Sequence, residues 1–204
     1  MTTNRGLLLV MMEPPASLEE EFNDWYDTEH FPQRSAVPGF ESASRWVCLD
    51  GWPRWLAIYD LATLDVLLCD AYREMSGAKS TPWSRRILPR TVGRLRIAAL
   101  GLTGNAPLQA SPLSTARLLL VGIPAASQQR AEAMASHVRD ALRDCPHLIQ
   151  LRGFFMPDGD VPTAWLIASF DAPVQSAEIA QAIGRPGGSG PTTFNLYAPY
   201  RRGG

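Results

Sequence analysis

The chain has 204 residues, 46% hydrophobic and 19% charged, a composition that excludes a disordered polymer and gives length for one large domain or two small ones. Nineteen Lys and Arg against twenty Asp and Glu leave a formal charge of -1, so no global basic field exists to hold nucleic acid. No stretch reaches the roughly 18 apolar residues of a membrane span, and Cys48, Cys69 and Cys145 fit neither a disulfide framework nor a zinc site; the expectation is a soluble cytoplasmic protein with no nucleic-acid and no membrane partner.

Arg5 to Met12 is an apolar run of strand length ended by Glu13-Pro14-Pro15, too short for the core of a signal peptide. Ser17, with Glu20 three residues on, has the pattern of a capping box that opens a helix to about Gln33. Phe40 to Leu49 and Arg54 to Asp60 read as a hairpin across Asp50-Gly51-Trp52-Pro53. Leu64, Leu67, Leu68, Ala71, Tyr72 and Met75 are spaced by three and four, which predicts a second amphipathic helix. Thr91 to Leu100 supplies another strand, and Gly101 to Thr115, rich in Gly, Pro, Ser and Asn, reads as a linker. Beyond it the order starts again: a strand from Arg117, a helix from Ser127 to Asp144, strands near Ile149 to Met156 and Thr163 to Phe170, a helix from Ser176 to Ile183 and a strand from Thr192. Gly184 to Gly190 lacks the Lys-Ser/Thr ending of a phosphate loop and reads as a flexible connection.

The βαββαβ order therefore occurs twice, and the sequence itself echoes at a distance of about 110 residues. Leu7-Leu8-Leu9-Val10 returns as Leu118-Leu119-Leu120-Val121, and Trp55-Leu56-Ala57 as Trp165-Leu166-Ile167. These echoes divide the chain into a first repeat at 1–100, a linker at 101–115 and a second repeat at 116–204. The fold class expected is α+β: two ferredoxin-like repeats whose antiparallel sheets pack face to face as an intrachain α/β barrel. The first strand supports this packing, because apolar residues occupy both of its faces where a half-solvated strand would alternate.

Residues able to carry chemistry concentrate between Glu21 and Pro32. On a helix Phe22, Tyr26 and His30 share a face, with Leu18 and Trp25 beside them. His30 reads either as a core or helix-end histidine or as a general acid/base tuned by Asp27, Glu29 or Arg34. His137 and His147 form no ligand spacing with it, so no metal is expected. Tyr72 could offer a hydroxyl to a cavity or be packed; Trp83 could be a cavity lid or a loop anchor. Arg45 and Trp46 alternate on a strand, so only one faces the helix side.

The run Glu21-Phe22-Asn23-Asp24-Trp25-Tyr26-Asp27-Thr28-Glu29-His30-Phe31-Pro32, followed by Val37-Pro38-Gly39-Phe40 and Ser80-Thr81-Pro82-Trp83-Ser84, resembles the EthD-like branch of the dimeric α/β-barrel superfamily. The resemblance covers about Leu7 to Leu100. It implies a barrel of two sheets, a small-molecule cavity between sheet and helices, and cofactor-free lyase or isomerase chemistry with His30 as the acid/base or substrate anchor. Trp25 and Tyr26 match aromatic positions of the motif. In the second repeat Ser136, His137 and Ala141 stand at the positions of Trp25, Tyr26 and His30, so that copy is expected to be degenerate. The function expected is a cofactor-free isomerase, cyclase or decarboxylase acting by proton transfer on a small, carbonyl-bearing, partly apolar metabolite. The alternatives are a binding protein for a small hydrophobic ligand and a purely structural barrel; further homo-oligomerisation is left open. A cavity of roughly 300 Å³ or more beside His30 separates the first two from the third.

Overall fold

The structure is a computed structural model that describes residues 4–102, 107–184 and 190–202. Most of the glycine-rich segment read as a connection, 185–189, lies outside them. Eight antiparallel strands are β1 (Gly6–Glu13), β2 (Phe40–Asp50), β3 (Trp55–Leu61), β4 (Val92–Gly101), β5 (Arg117–Pro124), β6 (Leu148–Met156), β7 (Thr163–Phe170) and β8 (Thr193–Pro199). They close into one barrel in the order β1-β3-β2-β8-β5-β7-β6-β4. Each half contributes four strands in the same relative order, β4-β1-β3-β2 and β8-β5-β7-β6. The seams are β2 with β8, where Cys48 faces Tyr197, and β4 with β6, where Gly101 faces Phe154. Closure leaves no free sheet edge among these strands. No described helix is long and apolar enough to cross a membrane.

Alternation along the strands sorts the apolar residues into three bodies. Leu7, Leu9, Met11, Trp46, Leu56, Ile58, Leu118, Phe154, Trp165 and Tyr197 fill the barrel interior. Leu8, Met12, Phe22, Trp25, Tyr26, Trp55, Tyr59 and Ile87 pack outside the first-half sheet, and Leu119, Val121, Met134, Val138, Leu166 and Ile179 outside the second. Burial of each Leu or Phe side chain contributes about 1.5–3 kcal/mol, which accounts for strands that are apolar on both faces. Leu7 and Leu118 both point inward. Trp55 and Trp165 do not correspond: Trp55 packs on the outer face and Trp165 inside the barrel, as a displacement of one residue along a strand requires.

Residues 107–115, read as a linker, take part in the barrel's polar interior. The fully buried Arg152 on β6 pairs with the fully buried Asp60 on β3 at 2.5 Å. The backbone N–H of Gln109 donates to Asp60 at 2.7 Å, and its side chain accepts from Arg152 at 2.6 Å and donates to Ser169 at 2.8 Å. These bonds offset much of the cost of taking two charges out of water, with the Nε of Arg152 left without a partner among the described residues.

Two local expectations need correction. Ser17 makes no capping bond; a 3₁₀ turn, Ala16–Leu18, leads into the first helix, whose opening turn instead carries Glu19, Glu20 and Glu21 against the helix dipole. The second helix of the first half is broken: a 3₁₀ turn at Leu64–Leu68 ends at Cys69, whose ψ of 156° is extended, and only Asp70–Arg73 is α-helical. The second half keeps its helices, Gln128–Ala141 capped by Ser127, and Ser176–Ile183.

Candidate functional site

The first-half helices are α1 (Glu19–Trp25) and α2 (Phe31–Ser35), joined by a π-helical turn at Tyr26–His30. The i,i+4 stack expected from the sequence exists, with Phe22 and Tyr26 ring centroids 5.4 Å apart and Tyr26 and His30 5.1 Å apart, edge to face. The wider turn adds an i,i+5 contact: the His30 ring lies 4.4 Å from that of Trp25 at a tilt of 34°. Trp25 is fixed in turn by its indole N–H, which donates to Ser84 at 3.1 Å. Single π turns of this kind are frequent at functional positions.

Beyond the broken second helix, α3 (Asp70–Arg73) and α4 (Pro82–Ile87) cover the sheet incompletely. Between them and the outer face of β1, β3 and β4 lies a cavity of about 520 Å³, inside the range of small-molecule sites. Its apolar floor is Leu8, Val10, Met12 and Leu88. Its polar wall is His30, Tyr59, Tyr72, Ser76, Ser80 and Ser84 with four arginines, Arg34, Arg85, Arg94 and Arg96, and no carboxylate. Gly77, at φ +59°, turns the chain beside it in a conformation that side chains resist.

Arg34 is buried; it donates to Ser76 Oγ at 2.7 Å and the Met75 carbonyl at 3.2 Å, and lies 4.6 Å over the Tyr72 ring. Arg96 reaches the Tyr72 hydroxyl at 3.4 Å. Among the described residues none of the four cavity arginines has an ion pair. Arg45 is different: it points to the helix side, where Asp27 pairs with it, Asn23 accepts at 2.8 Å, and the rings of Tyr26 and Tyr200 lie 4.3 and 4.5 Å from its guanidinium. Trp46 is the residue that faces the barrel interior.

His30 shows some surface, and that surface faces the cavity; protein atoms otherwise crowd it. Burial, with the charges of Arg34, Arg45 and Arg94 adding to it, holds its pKa down at about 3 against an ordinary 6.5. The imidazole is therefore neutral at physiological pH. Its ring nitrogens make no hydrogen bond among the described residues. Tyr59 also lines the cavity, but its hydroxyl is wholly buried and neighbours that of Tyr26 without the geometry of a hydrogen bond. Burial raises the pKa of both phenols, so both stay protonated.

Of the residues singled out from the sequence, His30 and Tyr72 line the cavity, Trp25 backs His30, and Tyr26 lies beneath it against Arg45. Trp83 is an anchor, its indole N–H donating to Glu21 at 3.2 Å. Sequence reasoning missed Tyr59, Arg85, Arg94 and Arg96. A signal existed for two of them: Arg94 and Arg96 are two apart on a strand, hence on one face.

The solved structures it resembles define the fold class. An anthrone oxidase-like protein matches with a TM-score of 0.69 at 10% identity, over 98% of this chain and 92% of that one. A mutant chlorite dismutase from Candidatus Nitrospira defluvii, in complex with cyanide, matches at 0.58 and 8%, over 98% and 92%. A heme-binding protein from Thermus thermophilus matches at 0.53 and 12%, over 97% and 92%. These are dimeric α/β-barrel proteins, and the chain has their fold. No family model and no curated protein matches its sequence.

Haem is the cofactor that such neighbours bring to mind, and the residues here do not fit it. A ligating histidine is usually oriented by an acceptor on its other ring nitrogen, which His30 lacks. His137 and His147, which have such acceptors in the Ile183 carbonyl and Asp171, lie exposed on the surface. Nor do the described residues contain a group of three or more His, Cys, Asp or Glu able to hold a metal ion.

Proposed function

We propose that the protein is an enzyme that moves a proton on a small, carbonyl-bearing, partly apolar compound without metal, flavin or haem, with His30 as the proton carrier. The observation that carries this reading is the cavity of about 520 Å³ in which a neutral imidazole stands beside arginines and an apolar floor. His30 takes a proton from a carbon beside the carbonyl, and the C–H electron pair passes to oxygen as an enolate. The cavity arginines stabilise that charge. Return of the proton to the same or another carbon completes an exchange or an isomerisation. An imidazole with a pKa near 3 is a weak base; negative charge developing beside it offsets the arginines and raises its basicity.

In this reading residues 1–100 are an EthD-like copy that carries the site, 101–115 connect, and 116–204 are a diverged copy that completes the barrel, with the cytoplasm as the compartment and a small molecule as the partner. The shared strand order of the two halves supports it. A second reading, a binding protein without chemistry, is favoured by the low basicity of His30.

Proton NMR in deuterated water distinguishes them, with 2- and 3-oxoacids and enolisable lactones as substrates. The enzyme reading expects exchange at the carbon beside the carbonyl, lowered about 10²-fold in His30→Gln. Binding without exchange supports the second reading, and neither binding nor exchange overturns both.

A further inference from the structure

We propose that the compound held in this cavity is a carboxylate, its anionic end seated between Arg94 and Arg96 of β4 and Arg34 of α2. The inference rests on the reading of the cavity as a ligand site and adds the charge of the ligand. Four arginines line one half-open cavity in a protein whose formal charge is -1, Arg34 buried in its wall and Arg85, Arg94 and Arg96 exposed around it, so the concentration of cations is local and not a property of the whole surface. A guanidinium buried without a counter-charge, as Arg34 is, is costly. Arg45, on the same sheet face, has Asp27, whereas the cavity wall contains no acid and Arg34, though buried in it, has no ion pair among the described residues.

Geometry favours a planar carboxylate. Arg94 and Arg96 project from alternate positions of one strand, as a pair of forks about 7 Å apart along the chain, and a planar fork matches two carboxylate oxygens. Arg34 is held in place by Ser76, the Met75 carbonyl and Tyr72, with donors left over. Leu8, Val10 and Met12 supply an apolar bed for the rest of the molecule. Carbonyl and carboxylate then divide the cavity's ends, the carbonyl near His30 and the carboxylate near β4.

Calorimetric titration with benzoate, benzamide, hexanoate, hexanamide and inorganic phosphate tests this. Each acid should bind at one equivalent per chain and about tenfold or more tighter than its neutral amide, and Arg94→Met/Arg96→Met should erase the preference while Arg117→Met, distant on β5, leaves it. Equal or better binding of the amides at one equivalent, lost on filling the cavity with Leu8→Trp, would overturn the carboxylate and leave the ligand site standing. Phosphate binding in preference to both acids would overturn it likewise. No binding of any probe would overturn both the carboxylate and the site. Circular dichroism of each variant shows whether it is folded, and the acid-to-amide ratio measured on folded Arg94→Met alone decides if the double variant is not.

Discussion

The two halves of the barrel share a strand order and differ in what covers their sheets. On the second half a 14-residue helix, capped by Ser127, lays Ala131, Met134, Ala135 and Val138 on Leu119, Val121 and Leu166 and fills the space beneath it. The cavity of about 480 Å³ on that half lies beyond the helix's end, against Leu142, Cys145 and Ile179, with no arginine in its wall. On the first half the covering chain is a helix widened by a π turn and then a series of short pieces, and the space is a cavity walled by arginines. The difference teaches that on this barrel a site arises where the cover fails to pack. An uninterrupted amphipathic helix buries a continuous apolar stripe; a broken one cannot, and polar side chains take the gap.

The sharpest break of this contrast comes through acid. The folded pKa of His30, about 3, lies below its unfolded value of 6.5, so between these pH values the unfolded chain holds a proton that the folded chain refuses. Stability is unaffected above pH 6.5 and falls as pH drops toward 3, by on the order of 4 kcal/mol from this group. His30→Gln should remove that loss while changing stability at neutral pH by less than about 1 kcal/mol, as urea denaturation at a series of pH values will show. An equal acid loss in both proteins would place His30 in solvent.

Packing gives the next effect. Met134→Ala, in the packed layer under the second-half helix, should cost about 2–5 kcal/mol by chemical denaturation, whereas Leu88→Ala, which already borders empty space, should cost well under half as much. Equal costs would remove the distinction between the halves. The smallest effect sharpens the site's edge. Trp83→Phe deletes one hydrogen bond to Glu21 and should cost about 1 kcal/mol with ligand affinity unchanged; a tenfold loss of affinity would make Trp83 part of the wall.

Much of this was legible in the residues. The apolar faces of Leu7 to Met12 and Leu118 to Val121 announced a sheet buried on both sides, and Asp50-Gly51-Trp52-Pro53 announced its hairpin. His30 could be placed on a face with Phe22 and Tyr26 because helix spacing is a local property. The break at Cys69 could not be read, since the spacing of Leu64, Leu67 and Leu68 satisfies a 3₁₀ turn as readily as an α-helix. The π turn is equally silent in a spacing argument. Arg94 and Arg96 were passed over because a strand's facing is known only from its neighbours, and Tyr59 because its alternating strand is apolar on both sides. The echo of Trp55 in Trp165 misled for the same reason: one residue of displacement exchanges the faces of a strand.

The central claim is that the first-half cavity is the ligand site and that His30 stands in it neutral among cations. Imidazole NMR tests it directly, with the His30 resonance assigned by its loss in His30→Gln, over pH 8 to about 4 and with added benzoate. The account predicts a resonance that keeps its neutral position down to about pH 4 and is the one histidine signal that benzoate moves. A His30 resonance that titrates near 6.5, or benzoate moving His137 or His147 in its place, would contradict it.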